Sequence, residues 1–165
     1  MTVGLGTSIV NLAGTDGLSF MASSGLVSCT VSGTGNFPLS IFNPNTNKNI
    51  LIYSIAVAAS NSSLAAMLAS TTSDPAYPSA LTPKCVKLNG GVPSIASVTW
   101  APTSQSLPNN SAFFAALLAG GNTQAELLTN NQTYLLPAKS NNGLTTWIQA
   151  YSTGYILFSA KWIEY

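Results

Sequence analysis

The sequence predicts an all-β chain: an antiparallel β-sandwich of jelly-roll type with an extended N-terminal arm. Three observations predict it. About seven or eight short segments rich in β-branched and aromatic residues recur at spacings near ten residues. Gly, Pro and Asn punctuate them. The connections differ in length, which suits two packed sheets. At 165 residues the chain is read as one domain, with an arm over 1–36 and the sandwich over 37–165.

Residues 1–36 are rich in Gly, Ser and Thr, with apolar fragments at Leu18-Ser-Phe-Met21 and Leu26-Val27. Their glycines recur too often for long regular elements. Val27 to Val31 alternates well enough for one short strand. The anchor of the pattern follows. Leu39, Ile41 and Phe42 run into a polar turn around Pro44, then into the β-branched run Ile50–Ala59. This reads as a hairpin with a loop of about seven residues. Leu64-Ala-Ala-Met-Leu-Ala69 is open between helix and strand, because its residues favour helix and its length does not.

Ser73-Asp-Pro-Ala-Tyr-Pro-Ser79 is a loop, since two prolines stop any helix. Lys84 to Leu88 and Ile95 to Trp100 read as strands separated by Asn89-Gly-Gly-Val-Pro93. Ser111-Ala-Phe-Phe-Ala-Ala-Leu-Leu-Ala-Gly120 reads equally as a capped helix or a buried strand. Thr123–Thr129 and Gln132–Leu136 flank Asn130-Asn131, a hairpin-like turn pair. Thr145–Tyr151 and Tyr155–Tyr165 are the clearest strands. In the last, Ile156, Phe158, Ala160 and Trp162 share one parity and make the better core face.

Charged residues are 5% of the chain, against about a quarter in an ordinary soluble protein. A folded surface with so few ions and a net charge of +1 gains little colloidal repulsion. Either neighbouring protein covers much of it, or hydroxyls, amides and attached sugar keep it dissolved. Three Asn-x-Ser/Thr triplets, at Asn61, Asn109 and Asn131, are expected by chance in this composition. Five scattered lysines without arginine make no basic stripe, so nucleic acid is not expected as a partner. No apolar run approaches the roughly 18 residues of a spanning helix, and the first residues lack a signal-peptide pattern. Synthesis in a cytosol and no membrane partner are the expectations.

Without histidine, Ser-His-Asp and Cys-His catalysis are excluded. The only carboxylates, Asp16, Asp74, Glu126 and Glu164, come from unrelated segments. Of these, Glu126 and Glu164 are read as solvated surface acids rather than a hydrolytic pair. No metal motif or phosphate loop is present, and no cofactor is implied. Cys29 and Cys85 are read as small buried hydrophobes, with a disulfide as the alternative. Tyr77, Trp100, Trp147, Tyr151, Tyr155 and Trp162 fill a core or interface, or alternatively line a sugar-binding face.

The stretch Ile41-Phe-Asn-Pro-Asn-Thr-Asn-Lys-Asn-Ile-Leu-Ile-Tyr-Ser-Ile55 resembles the N-P-x-x-x-G-K hairpin of many tailed-phage virion proteins. Leu136-Pro-Ala-Lys-Ser140 and Trp162-Ile-Glu164 stand where those proteins carry a Leu-Pro-x-Gly-x-Ser turn and a closing Trp-x-Glu strand. The chain departs from that pattern at Asn47, where glycine is usual, and at Lys139. The resemblance implies a non-enzymatic head decoration (cement) protein, or a similar small jelly-roll virion component. It would be made in a host cytoplasm and placed on the capsid exterior. Its partner would be the major capsid protein of a viral shell, engaged by a homo-oligomer, with a trimer expected. On that reading Leu5, Leu18, Phe20, Met21 and Leu26 are the arm's partner-binding residues. Two other readings stand beside it: a carbohydrate-binding sandwich and a jelly-roll shell subunit.

Overall fold

A computed structural model describes residues 18–30, 33–44, 46–60, 64–86, 92–107, 113–119, 123–128 and 132–165. Its strands are β1 (Ser19–Ser23), β2 (Val27–Cys29), β3 (Gly35–Asn43), β4 (Ile50–Ser60), β5 (Leu64–Thr71), β6 (Ser79–Ala80) and β7 (Lys84–Cys85). They continue with β8 (Ser97–Trp100), β9 (Phe113–Ala119), β10 (Thr123–Glu126), β11 (Tyr134–Leu136), β12 (Asn142–Ala150) and β13 (Gly154–Glu164). All pairings are antiparallel. A front sheet runs β10-β4-β13-β1-β7, with β11 also on β4 and β2 also on β13; a back sheet runs β6-β8-β3-β12-β5-β9.

Two front lanes are single strands interrupted once. β1 and β2 lie end to end along β13, and β10 and β11 end to end along β4. Numbering the eight principal lanes along the chain puts them in the order 6-3-8-1 in front and 2-7-4-5 behind. Successive lanes alternate between sheets except lanes 4 and 5, which are neighbours in the back sheet, and this is the wrapped order of a jelly roll. The insertion between β5 and β9 supplies β6, β7 and β8, which extend the back sheet beyond β3 and the front sheet beyond β1.

The core lies between the sheets, as period-two burial demands. Ile156, Phe158, Ala160 and Trp162 are all at most 1% exposed, the face read from the sequence. They meet Phe20, Ile52, Ile55 and Val57 from the front sheet and Phe37, Leu39, Ile41, Leu68 and Ile148 from the back. Trp162 stacks on Phe20 at 6.2 Å between ring centroids.

Several expectations are corrected. β3 and β4 are not a hairpin; they belong to different sheets, and the Asn-Pro turn arches between them. Asn43, at the end of β3, is fully buried. Its Nδ2 donates to the carbonyls of Lys48 (3.0 Å), Leu136 (3.2 Å) and Pro137 (3.0 Å). Its Oδ1 accepts from Thr46 Oγ1 at 3.0 Å. One amide therefore holds the arch to the turn before β12. The segments flanking Asn130-Asn131, which lie outside the described residues, do not pair with each other. Both run in one direction along β4. The Ala/Leu-rich segments open between helix and strand are β5 and β9, because pairing in the back sheet outweighs their helical propensity.

Within the arm expected over 1–36, Ser19–Ser23 and Val27–Cys29 are strands of the front sheet, and the residues before Leu18 lie outside the described part.

The outer face of the back sheet is covered as well. Trp147 points away from the core, opposite in parity to Ile148, yet is 4% exposed. Tyr77 of the insertion packs edge-on against it, with ring centroids 6.2 Å apart. Burial pushes the Tyr77 phenol up to about 12 from 10.0. The unfolded chain releases this proton near pH 10 and the folded chain near 12, so stability falls as pH rises through that interval. Tyr77→Phe keeps the ring contact and removes the proton. The expected result is that thermal melts of the variant lose this part of the alkaline decline; an unchanged decline would contradict the assignment.

Candidate interaction surface

The outer face of the front sheet forms a ladder that the register specifies. Lys84, Met21, Lys161 and Ser54 make one row across β7, β1, β13 and β4. Ser23, Ser159, Ala56 and Glu126 make the next. Beyond it the described residues of the face carry no charge: Leu157, Ala58 and Gln124 form a row, followed by Ser28, Tyr155 and Ser60.

A bulge between β1 and β2 shapes this uncharged half. The Ser24 amide donates to the Phe158 carbonyl at 3.1 Å, and Ser24 Oγ accepts from the Phe158 amide at 3.0 Å. Gly25 takes φ +66°, a left-handed conformation that costs glycine little. The one extra residue throws Leu26 outward, where it is 76% exposed. Beside it opens a groove of about 350 Å³ lined by Leu26, Ala58, Gln124, Tyr155 and Leu157. Tyr155 is itself 53% exposed.

Leu26 and Met21, expected as partner-binding residues, both lie on this outer face. Leu18 is half-buried immediately before β1, with the parity of Phe20. Phe20 is corrected: it is a fully buried core residue, so no partner reaches it without unfolding the sandwich. Leu5 lies outside the described residues. Tyr155, named from the sequence among the core or interface aromatics, lies beside Leu26, as does Leu157, which only its parity opposite to Ile156 and Phe158 could have signalled.

Cys29 and Cys85 are not joined by a disulfide. Cys29 pairs with Gly154, and Cys85 pairs with Phe20, the partner of Trp162. The two thiols are therefore separated by eight residues along β13, roughly 26 Å, and a disulfide needs Cα atoms within about 7 Å. Cys29 is buried as expected, while Cys85 is half-buried.

Glu164 is corrected from a solvated acid to a fully buried one. Its carboxylate accepts from Ser94 Oγ, from the Ile95 amide at 3.1 Å to each oxygen, and from Trp162 Nε1 at 3.1 Å. Glu126 is exposed and registers with Ala56, whereas Glu164 registers with Ile50. Six residues of β4, about 20 Å, separate them, which is too far for a hydrolytic pair. The six aromatic residues do not share a face either, since Trp162 is in the core and Trp147 lies under Tyr77.

No family model matches the chain, and no curated protein or solved structure is significantly similar to it.

Proposed function

We propose that this protein is a non-enzymatic virion structural protein of the head-decoration type, which binds the major capsid protein and stabilises an assembled shell from its exterior. The observation that carries the reading is the uncharged outer half of the front sheet, with Leu26 protruding beside an apolar groove. An apolar face on so ion-poor a chain is suited to lasting contact with other protein. The likeness of the sequence over Ile41–Ile55 to virion proteins supports the same reading. A decoration protein works by linkage: binding the assembled lattice better than its free parts stabilises the lattice. At about a hundredfold above Kd the gain is about 2.7 kcal/mol per site.

The test is co-sedimentation of the purified chain with candidate capsids, together with the melting temperature of the shells. Bound chain and a raised shell Tm are expected. Leu26→Asp forfeits an apolar burial of about 2 kcal/mol, so affinity should fall roughly thirtyfold while the sandwich stays folded. Removing residues 1–17 tests the arm in the same assay. A chain that ignores intact shells would overturn the proposal. The jelly-roll order also favours a second reading, a shell subunit, for which electron microscopy of the chain expressed alone would show closed particles.

A further inference from the structure

Among the described residues the sandwich has four lateral sheet edges, and three of them carry devices that discourage pairing with another strand. β6 and β7 are two residues each, too short to template an addition. The front edge lane is broken between β10 and β11 and carries Glu126. β9 differs. It is seven residues long, Phe-Phe-Ala-Ala-Leu-Leu-Ala, with neither charge nor proline. Among the described residues it pairs only with β5, in continuous register from Ala115 to Ala119.

We infer that β9 is a dimerisation edge, pairing antiparallel with β9 of a second copy about a two-fold axis and joining two back sheets into one. The backbone N–H and C=O groups along an outer edge are matched by another strand. A second β9 is equal in length, equally uncharged, and present at the concentration of the chain itself. Two-fold pairing uses both edges at once and closes, whereas pairing β9 to any other edge leaves β9 open and builds filaments. One outer edge accepts one partner, so this contact makes pairs rather than the threefold groups that the phage resemblance implies. A net charge of +1 per chain opposes the approach only weakly. The inference does not depend on capsid binding.

Ala116 is the central residue of β9, so in a symmetric antiparallel pair it lies opposite itself. The experiment is light scattering after size exclusion at tens of micromolar. The unmodified chain should elute at twice its 17.0 kDa. Ala116→Lys places like charges opposite one another and should elute as a monomer with an unchanged β-type circular dichroism spectrum. Ala116→Glu should behave likewise, and an equimolar mixture of the two should recover the dimer mass. Leu135→Lys, at an exposed position of the broken edge, should stay dimeric. A monomeric or trimeric unmodified chain, a dimeric Ala116→Lys, or a monomeric Leu135→Lys would overturn the inference. If the Ala116 variants do not fold, hydrogen exchange on the unmodified chain decides. The alternate amides of 113–119 that face away from β5 should lose protection on dilution, and protection of these amides independent of concentration would reject the dimer.

Discussion

Trp162→Ala is expected to lower the unfolding free energy by about 3–5 kcal/mol, a large part of the 5–15 kcal/mol available to a domain of this kind. Two losses combine. The indole is fully buried and stacks on Phe20, so its removal leaves a cavity bounded by both sheets. Its Nε1 also donates to Glu164 Oε1, and without it a buried carboxylate loses one of its donors. Trp162→Phe separates the two, because it retains a stacking ring and removes only the N–H. Urea denaturation should place Trp162→Phe between the parent and Trp162→Ala. Equal midpoints for Trp162→Ala and the parent would contradict the packing described.

The second large effect is expected at Asn43, where the change is a single atom group. Asn43→Asp turns an amide that donates to three carbonyls into a carboxylate facing the same three oxygens. Three carbonyls lose the Asn43 donor, and the carboxylate oxygen that replaces Nδ2 faces only the negative ends of those dipoles. A loss of about 3 kcal/mol or more near pH 7 is expected. The sign with pH follows from linkage. Such a carboxyl holds its proton more tightly folded than unfolded, so the deficit is small below the ordinary carboxylate range near pH 4 and grows as pH rises. Chemical denaturation of the variant and parent at pH 3.5 and pH 7 measures this. A deficit that shrinks with rising pH would contradict the assigned hydrogen bonds. Because Asn43 ties the arch to the turn before β12, proteolysis near residues 44–49 should accelerate in the variant.

Both predictions concern residues whose type, but not whose role, was legible in the sequence. Alternation in 155–164 identified Ile156, Phe158, Ala160 and Trp162 as core, since on a strand every second side chain shares a face. The same parity included Glu164, which was nonetheless read as solvated. Its donors, Ser94 and Ile95, come from some seventy residues away, and no local pattern announces them. The Asn-Pro turn was legible as a turn, because Pro and Asn act within a few residues. Whether the strands it joins pair or part depends on partners elsewhere, and β3 pairs with β8 and β12 while β4 pairs with β10, β11 and β13.

Leu26 illustrates the candidate surface in the same way. Its apolar character in a glycine-rich stretch singled it out, but only the bulge at Ser24 and Gly25, held by Phe158, puts it outside the sheet while Phe20 lies within. What the amino-acid order determined by itself is the all-β class, the face of the last strand, and a surface nearly without ions. These follow from period, propensity and composition, which act locally or sum over the chain. Tertiary structure alone decided which strands cross between sheets, which acid is buried, and which sheet edge is left long and uncharged. Those outcomes rest on hydrogen bonds between residues far apart in sequence.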